Sequence, residues 1–112
     1  MSAFDDALAV YKEQVTELNL GISDELLTKV AKGLGPSIYN ADSSKVSSSD
    51  PEELARVKNN FLIKKLGLAD DASLDAAIAG TVEALGKGNR NKYRAIFYAH
   101  LVKTLGKEDF YA

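Results

Sequence analysis

One dipeptide constrains this chain more than any other feature. Leu-Gly occurs at Leu20-Gly21, Leu34-Gly35, Leu66-Gly67, Leu85-Gly86 and Leu105-Gly106, which uses five of the eight glycines. A leucine in the last turn of a helix packs inward, and the next residue turns into the left-handed region. Glycine enters that region without a Cβ clash, so Leu-Gly reads as a helix C-terminus. The glycines are 14, 32, 19 and 20 residues apart. No period is shared, so the pattern is recurrent helix termination and not a solenoid repeat.

Each stop has a start upstream. Ser2 caps a first helix with Phe4, Leu8, Tyr11, Val15 and Leu18 on one stripe. Ser23 caps a second, with Asp24 and Glu25 at the positive end of its dipole and Leu27, Val30, Ala31 and Leu34 on its apolar face. Asp50-Pro51-Glu52-Glu53 opens a third helix running to Leu66: Asp50 is the cap, Pro51 has a preset φ, and Glu53 closes a capping box. Ser73 or Asp70 opens a fourth, with Leu74, Ala77, Ile78, Val82 and Leu85 inward. Asn89 or Asn91 opens a fifth, which ends at Leu105.

The third and fifth helices are apolar on more than one side, which places them centrally. Phe61-Leu62-Ile63 spreads across much of the third. The fifth carries one stripe of Tyr93, Ile96, Phe97 and Leu101 and another of Tyr98, Val102 and Leu105. Between Gly35 and Asp50 lies one short turn started by Pro36, then a serine-rich stretch over 40–49 with no helical period. This reads as a surface connection pinned by Ile38 and Tyr39. The expected fold is all-α: a compact, bundle-like domain of five main helices plus one short turn over residues 1–112.

Composition then narrows function. No Cys removes disulfides, thiolate metal sites and thiol nucleophiles, and a single His removes any His-pair metal site. No metal or cofactor is expected. The opening MSAFDDALAV is acidic and lacks Arg and Lys, unlike a secretory or mitochondrial leader, and no apolar run approaches the length of a membrane span. A cytoplasmic protein is expected.

Motifs with chemistry fail one by one. Asp5-Asp6, Glu52-Glu53 and Asp70-Asp71 sit at proposed helix starts, where negative charge suits the dipole, and adjacent helical residues do not face each other. A calcium loop beginning at Asn40-x-Asp42-x-Ser44 would need Gly where Lys45 stands and Glu where Pro51 stands. A P-loop beginning at Gly80 has the wrong spacing and Gly88 in place of Ser or Thr. Gly33-Leu34-Gly35 partly resembles the turn of a helix-hairpin-helix module, but the serine-rich stretch follows too soon. His100 lies beside the apolar stripe of the fifth helix and reads as a hydrogen-bonded packing residue.

One basic turn remains. Gly86-Lys87-Gly88-Asn89-Arg90-Asn91-Lys92-Tyr93-Arg94 gathers Lys87, Arg90, Lys92 and Arg94 around a helix start, without an acid among them. Cations there oppose the dipole, whereas free N–H groups, glycines and cations together suit an anion. The competing reading is a solvated basic turn, or one paired with acids of the first helix. Arg56, Asn60 and Lys64 form an exposed line on the third helix and extend the candidate surface. The net charge of -2 hides a split: residues 1–55 hold 10 acids and 4 bases, residues 56–112 hold 6 acids and 10 bases.

The blocks Leu26–Asn40, Lys58–Leu68 and Asn89–Arg94 resemble a family of short bacterial helical proteins described only as a domain of unknown function. The resemblance implies a small helical protein and brings no reaction, ligand or site residue with it. The leading expectation is a non-catalytic interaction or accessory protein, acting on a protein partner or by self-association. The alternative is a binder of nucleic acid or a phosphate-bearing ligand through 87–94. No membrane role is expected.

Overall fold

The computed structural model describes residues 3–40, 44–89 and 91–111. Ser2 and Arg90, named above, lie outside these residues, as do Ala41, Asp42 and Ser43 of the serine-rich stretch. The described residues form five helices: α1 (Ala3–Glu17), α2 (Asp24–Leu34), α3 (Pro51–Arg56), α4 (Ala72–Leu85) and α5 (Arg94–Thr104). From α3 the chain runs on without a break as a π-helix, Val57–Lys65. Short 3₁₀ turns occupy Gly35–Tyr39 and Glu108–Tyr111, the second of them unanticipated. The architecture is all-α.

Helix α5 is the hub. It packs against α1, α2 and α4 and buries Ala95, Ile96, Phe97, Tyr98, Ala99, Leu101 and Val102. The third helix reaches it through Phe61, whose ring stacks on Tyr98 with centroids 3.9 Å apart and planes 18° apart. Val57 and Leu62 are fully buried on the same side. Both helices expected at the centre therefore supply the core, which is one continuous cluster of buried side chains.

Four of the Leu-Gly stops end helices as expected, with Gly35, Gly67, Gly86 and Gly106 all at positive φ. The fifth does not. α1 ends before Leu20-Gly21, because Asn19 takes the left-handed position at φ 54. Leu20 N–H then donates to Val15 O at 3.0 Å and Asn19 N–H to Thr16 O at 3.1 Å, a Schellman closure made with asparagine. Asparagine is the residue that most nearly shares glycine's tolerance there.

The starts need three corrections. Ser23 caps α2 by accepting from Leu26 N–H at 3.2 Å, and Asp50 caps α3 by accepting from Glu52 N–H at 3.0 Å. Glu53, however, closes no capping box, because its carboxylate is drawn to two arginines. α4 is capped by Asp71, which accepts from Ser73 N–H at 2.8 Å, and not by Ser73 or Asp70. α5 begins at Arg94 after Tyr93, with no side-chain cap. Asn89 and Asn91 instead shape the preceding turn: Asn89 donates to Leu85 O at 3.0 Å and accepts from Asn91 N–H at 2.9 Å.

The serine-rich connection is also pinned differently. Ile38 is buried, but Tyr39 is 53% exposed, and Val46 takes the inward place. Val46 N–H donates to Lys92 O at 2.8 Å, and Arg94 N–H donates to Ser44 O at 2.7 Å. The connection thus forms an isolated antiparallel bridge, Lys45 to Tyr93, against the start of α5.

Candidate functional site

The described cations of the basic turn divide by fate. Lys92 is 3% exposed, and its ammonium donates to Lys87 O at 3.1 Å and Asn89 O at 2.6 Å. Burial holds its pKa below the usual lysine value. Lys92 thus ties the turn together from inside, where carbonyl oxygens replace water around the charge. Lys87 stays exposed and lies 3.7 Å from Glu83, one turn back on α4.

Arg94 turns toward the third helix. Its guanidinium bonds to Glu53, donates to Tyr98 Oη at 2.8 Å and to Lys45 O at 3.4 Å, and lies over the Tyr98 ring at 5.5 Å. Arg56 reaches the other carboxylate oxygen of Glu53, with Nη2 at 2.9 Å and Nε at 3.3 Å. Burial alone would raise the Glu53 carboxyl, but hydrogen bonds from Arg94 and then Arg56 outweigh it and hold it below its ordinary value. Its counterpart behaves in mirror image: burial opposes the Arg94 charge, while Tyr98 and Glu53 overcome that and raise its pKa further.

Among the described residues, the acid that pairs with Arg94 comes from α3, and the one nearest Lys87 from α4. The site brings Arg56 and Arg94 onto one carboxylate. It leaves Asn60 and Lys64 exposed farther along the π-helix and draws Lys92 into the turn. Glu53 was hidden in the sequence because its position three residues after Asp50 fits a capping box. Its separation of 41 residues from Arg94 leaves no local trace.

His100 is half-buried, with Nδ1 2.7 Å from Thr81 Oγ1, a fully buried hydroxyl on α4. Burial, helped by nearby Lys103, lowers its pKa. This is the packing arrangement expected of it. Among the described residues no group of three or more His, Asp or Glu converges as a metal site, and no helix is long and apolar enough to cross a membrane.

A groove of about 410 Å³ lies between the third helix and α4. Pro51, Leu54 and Ala55 form one wall, and Ile78 and Ala79 form the other. Lys58 and Asn59, from the start of the π-helix, and Asp75 supply its polar groups. Lys58 Nζ lies 2.9 Å from Asp70 Oδ1 and 3.2 Å from Asp75 Oδ2. The sequence reading missed this feature. Its one legible signal is α4's outer face, where Ala72, Ala76, Ala79 and Gly80 are exposed with no large side chain among them.

A family model described as Protein of unknown function (DUF2853) matches residues 10–109. No curated protein matches the chain.

Proposed function

The chain belongs to that family, and because its description assigns no reaction, we propose a function from the chain's own residues: a non-catalytic interaction protein. One observation carries this reading. The side chains best suited to acid–base work are engaged within the fold. Glu53 accepts from two arginines, Lys92 donates to two carbonyls, and His100 faces Thr81. A general base needs a lone pair directed at a substrate proton, and a carboxylate held by two guanidiniums below its ordinary pKa is a poor one.

The phosphate-binding alternative draws less support. Lys87, Arg56, Asn60 and Lys64 remain at the surface, but Lys92 and Arg94 would have to give up internal partners to serve a ligand. Anisotropy titrations with single-stranded RNA, duplex DNA and a nucleotide at low salt are expected to show no binding. Binding that weakens, with a flatter salt dependence, on replacing Arg56 and Lys64 by Gln would reverse the order of the two readings.

The leading reading is tested by hydrolase and transferase assays on the pure protein. No turnover above buffer is expected. Robust turnover that disappears in His100→Asn, with the fold intact by circular dichroism, would overturn it.

A further inference from the structure

The groove between the third helix and α4 deepens that reading, and the argument for its occupant rests on it. Its walls are aliphatic and open to solvent, at a scale suited to one or two apolar side chains. Above the α4 wall the surface is low. Ala79, which lines the groove, is small and exposed, as are Ala72 and Ala76 on the neighbouring turns. A partner backbone can therefore come close.

Charge selects the partner. Two carboxylates, Asp70 and Asp75, share the single ammonium of Lys58, so the edge keeps a net negative charge. Both acids are accessible, with side chains 66% and 63% exposed, whereas Lys58 is 20% exposed. An approaching cation reaches the carboxylates more readily than an anion reaches the lysine. A second copy docked about a twofold axis would set this acidic edge against itself, which disfavours self-association here. The π-helix adds to the case. Lys58 and Asn59 lie at its start, so the widened backbone turn begins at the groove, and π geometry occurs frequently at functional sites.

We propose that this groove docks a basic amphipathic segment of a partner protein, with an apolar side chain between Leu54 and Ile78 and Lys or Arg on Asp70 and Asp75. The recognition is helix-in-groove, in which apolar anchors give affinity and the charged edge gives orientation.

The test uses the full chain and two fluorescein-labelled peptides with Leu at i, i+3, i+4 and i+7, one filled with Lys and one with Glu. The Lys peptide should bind and shift the backbone amide signals of Leu54, Ala55, Ile78 and Ala79. The Glu peptide should bind at least about tenfold more weakly. Ala79→Gln, a change at an exposed helical position, should cost about tenfold in affinity without loss of helicity. Asp70→Asn with Asp75→Asn should weaken binding and flatten its salt dependence. Equal affinity for both peptides, shifts confined to other surfaces, no binding, or self-association abolished by Ala79→Gln would each overturn the proposal. Absent peptide binding with silent enzyme assays removes this site alone. Turnover in those assays removes the non-catalytic reading however the peptides behave.

Discussion

Glu53 holds two guanidiniums, those of Arg56 and Arg94, on one carboxylate. It is 8% exposed and joins the third helix to the start of α5 through Arg94. Removing one partner of a buried pair leaves the other charge uncompensated, so Glu53→Gln is expected to cost about 3 kcal/mol in urea unfolding. Arg56→Gln removes a partner that is 56% exposed and should cost less than about 1 kcal/mol. Acidity gives an independent check. The folded-state pKa of Glu53 lies below its ordinary value of 4.5, so the pair's stabilisation is present above that value. It is lost as pH falls through the folded pKa, and Glu53→Gln should lack this acid-limb loss. His100 works in a different window. Its folded pKa lies below 6.5, so the unfolded chain takes up the proton first and stability declines as pH drops from 6.5 toward the folded value. His100→Asn should flatten that slope in denaturation midpoints measured across it. The Glu53 pair was not legible from sequence, and the groove only through the small residues of α4, because capping logic is local and the partners come from distant segments. His100 was legible, since its helical spacing from Ile96 and Phe97 already placed it beside the core.

Element ends follow from the sequence where backbone chemistry decides them. Leu66-Gly67 shows why: Gly67 sits at φ 71, and Leu68 N–H donates to Leu62 O at 3.0 Å across the turn. A Cβ there would meet no neighbour within 4 Å, so Gly67→Ala isolates the backbone term and should cost about 1 kcal/mol. Gly80 is the matched opposite. It lies inside α4 with equally open space, so Gly80→Ala should stabilise by up to about 1 kcal/mol. Thermal unfolding of both variants checks the pair, and equal signs would contradict the helix ends described here. Likewise Asp71→Ala, which removes the cap of α4, should cost about 1 kcal/mol. Asp70→Ala loses only an exposed ion pair and should cost less. The choice between neighbouring capping candidates lay beyond the sequence, since Asp70, Asp71 and Ser73 all suit the role. The π-helix lay beyond it too. Asparagine is a weak α-helix former, so Asn59-Asn60 leaves that stretch loosely specified, and nothing local calls for the wider turn.

Across the whole molecule, the ion pairs differ widely in shielding, and the most shielded of the described pairs joins the two halves. Glu53 belongs to the acidic half and Arg94 to the basic half, and their side chains are 11% and 15% exposed. Lys58 with Asp70 and Asp75, and Lys87 with Glu83, lie within the basic half and leave their carboxylates open to water. Mobile ions reach the second kind and not the first, since the Debye length shrinks to about 3 Å at 1 M salt. Lys58→Gln should therefore carry a small penalty at low ionic strength that vanishes in 1 M NaCl, while the Glu53→Gln penalty persists. Urea midpoints of the three proteins at both salt concentrations decide this. Because α5 carries Arg94 at its start and Tyr98 one turn on, losing the Glu53 pair should also loosen the Phe61 stack. Amide exchange in Glu53→Gln should then accelerate first at the π-helix and at Ser44–Val46, which hydrogen-bonds to the segment leading into α5. Uniform acceleration throughout would mean that Glu53 contributes only to global stability and does not join the two halves at one place.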